Sequence, residues 1–536
     1  MDQIKDITPP RADSSGNLYV QPLPAVGEGD VLPGIAPSCL LECCRNPFLN
    51  IVLLLSTGPI AAWMSWRNRN YQLDDALIYL RYIRNFFEGN GLQYNAGDCF
   101  NGLTSPLYSY LLIAVNTIAH HLQFTTIFLS FMFFWLAALF GAVVVSKNRY
   151  EQALCGFFVV SSNYFYITFG METGLFLFLT ALALFFYRND RLFFLGATIG
   201  LVFLTRPEGI FLGGVVFLHY ILTNKRLPPI KCLAAPIIII LANFIFNYFY
   251  YGSLLPATGD AKIGQGRSGF WGSGLLFLHV SFMKGTYFGG SYSMLWFTLT
   301  TAAVGLWVSL RSLTTRLILA YLVLLGAFYV FLNLPNYPWY YGPFFYFLTL
   351  FSAIGAYQLA RLANYTSEGP RGLFAASPIV GLILIFSLYN LKFSSFPRGP
   401  HDMYRNIGNW IKTNTPSNSI VAAVEIGTIG WYSNRYIIDI LGLTNPYNAD
   451  FIAQKDVYSW LTKYSPDYIV VHDPLWSFER SATCLTATGA YVPNPGFHFM
   501  GYQLLAKSAV PNVDELIGEC GRIVGAFQTK GKTPTQ

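Results

Sequence analysis

The chain has 536 residues, 53% hydrophobic and only 11% charged, with a mean hydropathy of +0.41. No water-soluble domain of that length needs so much apolar surface, whereas a polytopic membrane protein does, at ~20 mostly apolar residues per span. The net charge of +7 is scattered over short loops, which is how membrane topology is specified, so it does not imply nucleic-acid binding.

Residues 1–45 are polar, rich in Pro and Gly and without an apolar core, which predicts a disordered cytosolic tail. The first apolar run starts too late for a cleavable signal peptide. Pro47 to Trp66 reads as the first span. A loop at 65–104 follows, and it opens on two adjacent carboxylates, Asp74 and Asp75. Acids that close to a bilayer are costly unless they face water, protein or a ligand. Behind them, Leu77, Ile78, Leu80, Tyr82, Ile83, Phe86 and Phe87 are interleaved with Arg81, Arg84, Asn85 and Glu88. That pattern predicts a helix lying along the membrane surface. Gly89, Gly91, Tyr94, Asn95 and Gly97 then give a turn-rich segment.

Residues 105–146 are apolar but broken at His120, His121 and Gln123, as two short helices would be. Further apolar runs cover about 151–168, 171–187, 192–205, 209–223, 232–250, 291–310, 315–333, 343–360 and 373–393. Lys147/Arg149, Arg188/Arg191, Lys225/Arg226/Lys231, Arg311/Arg316 and Arg361/Arg371 occupy alternate connections, which should be cytosolic. Met171-Glu172, Arg206-Pro207-Glu208, 253–291 and 333–342 then fall outside, with Asp74/Asp75 and everything after Phe396. The scheme needs an odd number of crossings in 105–146, so one of its two helices is a candidate for re-entry. It also leaves Arg67, Arg69, Arg81 and Arg84 outside. Either the orientation is inverted or these cations hold an anion such as a lipid phosphate; the mutual agreement of the later loops favours the anion.

Residues 252–290 form a long outer connection whose cations are Lys262 and Arg267. From residue 395 the hydropathy drops. SIVAAVEIG, YIIDILGL, DYIVVHD and YQLLAKS are strand-like, with helix-like segments between several of them. A soluble α/β layer domain over 395–536 is predicted, beside a transmembrane domain over 46–394. Cys484 and Cys520 in the soluble part are either a disulfide or two free thiols.

A membrane-level acid pair, outer cations and outer aromatics suit a lipid-phosphate-linked sugar as substrate. Its leaving group is already a phosphate, so cations can stabilise it, and a carboxylate can take the proton of the attacking hydroxyl. A transporter or flippase of lipid-linked sugar is the alternative, but it commonly shows internal repeats and mid-membrane polar residues. No repeat is visible here, and the acidic residues crowd one face. An Asp pair with no role argues against a mere scaffold or receptor.

The stretch L-DDALIYLRYIRNFFEGNGLQYNAGD…N-G-LTSPL resembles the first outer loop of GT-C superfamily glycosyltransferases. It is most similar to the polyprenyl-phosphate-dependent branch that includes the mycobacterial arabinofuranosyltransferases. METGLF at 171–176, RPEG at 206–209, LLPATGDAK at 254–262, YPWYYGP at 337–343 and EIGTIGWYSNRYIIDILGLTNP at 425–446 resemble the same branch in order and spacing, so the likeness spans roughly residues 47–475. Two departures are local. NGLTSP stands where E-G-Y-T-S-P is expected, and PATGDAK where P-N-T-x-x-A-K is expected.

The resemblance implies a polytopic α-helical membrane protein of about 11–13 transmembrane helices with a C-terminal soluble α/β domain. It implies inverting transfer of a sugar, such as arabinofuranose, from a polyprenyl-phosphate donor to an extracytoplasmic glycan, lipid or protein at a bacterial inner membrane. Asp74 would be the general base, with Asp75 orienting the acceptor or helping the base; the bland reading is that one Asp caps the surface helix. Lys262 is the leading candidate for the donor phosphate, followed by Arg81, Arg84 and Arg206, although Arg206 could simply pair with Glu208. Glu172 is either a substrate contact or a negative charge at a helix N-terminus. Trp339, Tyr340 and Tyr341 are either a sugar-stacking surface or a membrane aromatic belt. Glu425 or Asp439 could be lowered onto the site by the soluble domain. His401 and His472 are expected to be structural, and neither a metal nor another cofactor is expected.

Overall fold

A computed structural model describes residues 55–365 and 399–529, apart from residues 71, 72, 163 and 289. The expected N-terminal tail, the beginning of the first span and the expected span at 373–393 lie outside the described residues.

The apolar runs become helices at nearly the expected bounds: Thr57–Arg67, Arg149–Ser161, Thr173–Arg188, Leu192–Thr205, Ile210–Asn224, Ile230–Tyr251, Tyr292–Ser309, Leu313–Leu332 and Gly342–Tyr365. Among the described residues, Leu122–Val145, Ile230–Tyr251, Leu313–Leu332 and Pro338–Leu362 are long and apolar enough to cross a bilayer.

The broken run at 105–146 resolves into two unequal helices. Pro106 opens the first, of 14 residues, and His120 ends it in a left-handed conformation (φ 50°). His121 caps the second, of 24 residues, by accepting the N–H of Phe124 at 3.1 Å. At ~1.5 Å per residue, the second has the length of a full span and the first does not. Elsewhere close helix packing rests on glycine. A Cβ on Gly305 would lie 1.9 Å from the Phe351 carbonyl oxygen, and one on Gly355 1.8 Å from that of Thr301.

The C-terminal part is built on a five-stranded sheet: β1 (Ile420–Ala423), β2 (Tyr436–Asp439), β3 (Tyr468–His472), β4 (Tyr491–Pro493) and β5 (Tyr502–Lys507), in the order β2-β1-β3-β5-β4. β2, β1 and β3 run parallel, and β5 and β4 join antiparallel. Four of these strands are the expected ones. The short β4 has too few residues to show an alternating pattern. Strands buried on both faces read as apolar runs, and β1 and β3 do so. A disulfide joins Cys484 to Cys520, which ties the helix Ser481–Ala487 to Val513–Thr529.

The helix carrying the acid pair, Asp74–Phe87, differs from the expected surface helix. It buries nine of its residues, including Arg81 and Asn85, because the sheet domain covers its outer side through the helix Ile426–Ser433. A Cβ on Gly427 would fall 1.7 Å from the Asp74 carbonyl oxygen. Only glycine allows that approach.

Candidate active site

Asp75 and Lys262 stand where two cavities meet. The first, about 410 Å³, is lined by Asp75, Glu172, Arg206, Glu208, Lys262, Trp339 and Tyr340, with Ile210, Phe211, Phe328 and Leu332 giving it an apolar flank. The second, about 560 Å³, is lined by Asp74, Asp75, Lys262, Glu425 and the aromatic side chains of Phe270, Trp271, Tyr337, Trp476 and Phe478. The outer connections assigned to one side by charge, those holding Glu172, Arg206 and Trp339 and the long one at 253–291, therefore converge on one place.

The two acids are not equivalent. Both Asp74 oxygens are engaged, accepting the N–H of Gly427 at 3.0 Å and of Thr428 at 2.6 Å. Asp74 thus caps the helix Ile426–Ser433 of the sheet domain. It does not cap its own helix, whose N-cap is Leu73. Burial, and then the charge of Asp75, push Asp74 up to about 7, against the pull of the Thr428 N–H. Burial also raises Asp75, and the nearby Lys262 opposes that rise. Asp75 lines both cavities; Asp74 lines only the second.

Lys262 sits on the helix Thr258–Ser268. It is buried, with Nζ 3.7 Å from the centroid of the Tyr337 ring and 5.5 Å from that of Trp339. Among the described residues it forms no ion pair, so its charge is available to the cavities. Thr104 and Thr258 join the first loop to this helix through a 3.0 Å hydroxyl contact.

Arg206 faces the first cavity but is already answered. It pairs with Glu208 at 2.7 Å and Glu172 at 3.7 Å, and donates to the Trp339 carbonyl at 3.2 Å. Two carboxyl groups and a carbonyl already answer its one guanidinium, which makes it poor ground for a phosphate. Glu172 makes no cap bond to its helix. It stands at the N-cap of the helix Thr173–Arg188 and also lines the first cavity, where its Oε2 is buried without a hydrogen-bond partner, so the helix-terminus position and a place at the cavity hold together.

Several expected site residues lie elsewhere. Arg81 lines neither cavity. Its guanidinium donates to the carbonyls of Tyr94 (2.8 Å), Gly430 (2.7 Å) and Arg435 (2.6 Å) and to Oδ1 of Asn95 (2.8 Å). It is a clamp between the first loop and the sheet domain, with four of its five donors engaged there. Arg84 lies over the Trp431 ring at 4.7 Å and beside Glu88 at 3.9 Å, also outside both cavities. Tyr341 stacks on Phe277 (4.5 Å) and donates to its carbonyl at 2.8 Å, which makes it part of the core. Asp439 accepts N–H groups from Leu441 and Thr444 at 2.9 Å and so shapes its own loop. The side chain of His401 lies outside the described residues.

Other participants were invisible as a pattern. Tyr94 donates to the Ile426 carbonyl at 2.7 Å, and Asn95 exchanges hydrogen bonds with Ile437 at 2.9 and 3.0 Å. Trp271, Trp476 and Phe478 reach the second cavity from segments far apart in the chain. Their only signal was aromatic content in polar stretches. Among the described residues, no three His, Cys, Asp or Glu side chains are grouped to hold a metal ion.

Comparison with known proteins adds three findings. Residues 398–517 match a family described as a domain of unknown function, DUF8728. The chain is 27% identical over 254 residues to a terminal beta-(1->2)-arabinofuranosyltransferase of Corynebacterium glutamicum, covering 41% of this chain and 37% of that protein. It is also 27% identical over 262 residues to the Mycobacterium tuberculosis protein of the same name, covering 43% and 41%. The match thus spans about two fifths of these relatives' length. Among solved structures, ArnT of Cupriavidus metallidurans bound to undecaprenyl phosphate aligns with a TM-score of 0.52 at 12% identity, over 87% of this chain and 99% of that one. The Archaeoglobus fulgidus oligosaccharyltransferase aligns at 0.53 and 13%, over 84% and 72%. The fold is that of these membrane proteins, the GT-C type.

Proposed function

We propose that the chain is a glycosyltransferase that moves a sugar, of the arabinofuranose class, from a polyprenyl phosphate to a hydroxyl of an extracytoplasmic glycan, lipid or protein acceptor. The observation that carries this reading is the placement of Asp75 and Lys262 at the junction of an apolar cavity and a more polar one. The polyprenyl chain lies along Ile210, Phe211, Phe328 and Leu332, and its phosphate sits by Lys262. The acceptor enters through the second cavity.

In the transfer, Asp75 accepts the proton of the acceptor hydroxyl as its oxygen bonds to the anomeric carbon. The bond from that carbon to the phosphate oxygen breaks with its electron pair, and the lipid phosphate leaves beside Lys262. Attack from the side opposite the leaving group inverts the anomeric centre. Asp74 holds the sheet domain in place and supports its neighbour; each of its oxygens already accepts a backbone N–H, and it lines only the second cavity, whereas Asp75 lines both. The base is thereby exchanged between the two acids relative to the expectation from resemblance.

The activity for which the two similar arabinofuranosyltransferases are named and the undecaprenyl phosphate in the ArnT structure support the substrate class. The disulfide in the sheet domain supports an oxidising, extracytoplasmic location for the site, and a bacterial inner membrane fits it. The test is to incubate the purified protein with a panel of polyprenyl-phosphate sugars and an arabinofuranosyl oligosaccharide. Asp75→Asn should lower transfer by about 10²–10⁴-fold, the usual worth of a general base, with undecaprenyl phosphate binding intact. Full transfer by Asp75→Asn would sink the assignment.

A further inference from the structure

The second cavity has a wall that the chemistry above does not use. It comes from the sheet domain, where β3 ends at His472 and the chain turns through residues 473–479. Glu479 organises that turn. Its Oε2 accepts the N–H of His472 at 3.2 Å and of Trp476 at 2.9 Å, and its Oε1 lies 2.9 Å from His472 Nδ1. The other ring nitrogen of His472 lies 3.0 Å from Oε1 of Glu425, an ion-pair contact without hydrogen-bond alignment. One imidazole thus bridges two buried carboxylates, and Glu425, the one facing the cavity, is held in place by it.

The aromatic residues of the turn are fixed by the same cluster. The Trp476 ring lies on the His472 ring, 3.5 Å between centroids and 12° from parallel. Trp476 is nevertheless 44% exposed, although it lines a cavity. Phe478 meets Trp476 edge-on at 5.6 Å and stacks on Trp271 at 5.3 Å, so the aromatic surface continues across to the long loop of the helical part. Flat aromatic faces beside a fixed carboxylate, a few polar groups in a mostly apolar cavity, make a recognition surface. A sugar ring matches it, with apolar C–H faces and hydroxyls that donate to a carboxylate. Asp75 lines the same cavity.

We propose that this wall is the recognition surface for the acceptor glycan. A ring of the acceptor lies on Trp476, which the buried Phe478 backs edge-on, and donates a hydroxyl hydrogen bond to Glu425. His472 and Glu479 are positioning residues that hold Glu425 and Trp476. The proposal rests on the transferase reading for its choice of ligand, but the experiment separates the two.

Calorimetric titration of the full chain in lipid nanodiscs with an octyl arabinofuranosyl disaccharide measures the wall without requiring turnover. A parallel titration with undecaprenyl phosphate reports on the other cavity and on folding. Saturable disaccharide binding is expected. It should weaken at least tenfold in Trp476→Ala and Glu425→Gln, recover in large part in Trp476→Phe, and fall several-fold in His472→Gln. Undecaprenyl phosphate binding should not change in any of them. In turnover, His472→Gln should raise the acceptor KM and leave kcat nearly unchanged, a split that general loosening of the fold would not give. No saturable disaccharide binding by the wild type, or equal affinity in Trp476→Ala and Glu425→Gln, overturns the proposal. Wild-type protein that binds the disaccharide in a Trp476-dependent way but neither binds undecaprenyl phosphate nor transfers sugar overturns the transferase reading and leaves the wall standing.

Discussion

Adjacent aspartates have opposite tasks because a helix turns ~100° per residue. Asp74 is fastened to the sheet domain at the edge of the second cavity, and Asp75 faces both cavities. The division predicts different failures. Asp74→Ala removes the acceptor for two N–H groups at the start of the helix Ile426–Ser433, a capping loss of about 1–2 kcal/mol. It should lower the melting temperature, whereas Asp75→Asn should spare it. Equal thermal stability of Asp74→Ala and wild type, measured by intrinsic fluorescence in detergent, would contradict the capping role. His472 gives a pH dependence of the sheet domain. Burial disfavours its charged form, but Glu425 and Glu479, the charged groups facing it, outweigh burial and raise it from 6.5 to about 9. A raised value means that the stabilisation is complete below pH 6.5 and is lost as pH climbs through 9. The melting temperature should therefore fall across that window in the wild type and fall less in His472→Gln.

At the scale of elements, the decisive contact is between the helix Asp74–Phe87 and the helix Ile426–Ser433. It is knit by Asp74, Arg81, Tyr94 and Asn95, and Gly427 permits it. Arg81→Met would remove the donor shared by three carbonyls and Asn95 Oδ1, of which the Tyr94 carbonyl keeps the Asn85 amide and Asn95 Oδ1 keeps the Ile437 N–H. Each unsatisfied buried acceptor costs about 1–3 kcal/mol. The sheet domain should then loosen from the first loop, seen as faster backbone hydrogen exchange over residues 426–437. Unchanged exchange there would show that the clamp is dispensable. The amphipathic pattern of the acid-pair helix made the element itself legible. Which solvent its polar stripe met was not legible, because arginines facing lipid headgroups and arginines facing carbonyls of a distant domain have the same spacing. The same ambiguity applies to Tyr341, since an aromatic run marks a membrane belt, a sugar platform or a packed core equally well.

At the scale of the whole molecule, the candidate site is lined by two parts of the chain. The helical part supplies Asp75, Lys262 and the apolar flank, and the sheet domain supplies Glu425 and Trp476. The disulfide between Cys484 and Cys520, 36 residues apart, should stabilise the sheet domain by about 2–4 kcal/mol. Reduction should lower its melting temperature and weaken disaccharide binding more than undecaprenyl phosphate binding, because the second cavity draws most of its wall from that domain and the first draws only Leu443 from it. Equal loss at both ligands would mean that the two parts do not melt separately.

The order of apolar runs, the strand-like runs after residue 395 and the acid pair are local properties of the chain, and they made legible the helical fold, its sheet domain and the neighbourhood of the candidate site. The assignment of work within that neighbourhood depends on contacts between residues hundreds of positions apart, such as Asp74 with Thr428 and Arg81 with Gly430. Spacing along a chain carries direction and period but not the partner, so only the folded molecule separated the carboxylate that faces the cavities from the one that fastens a domain.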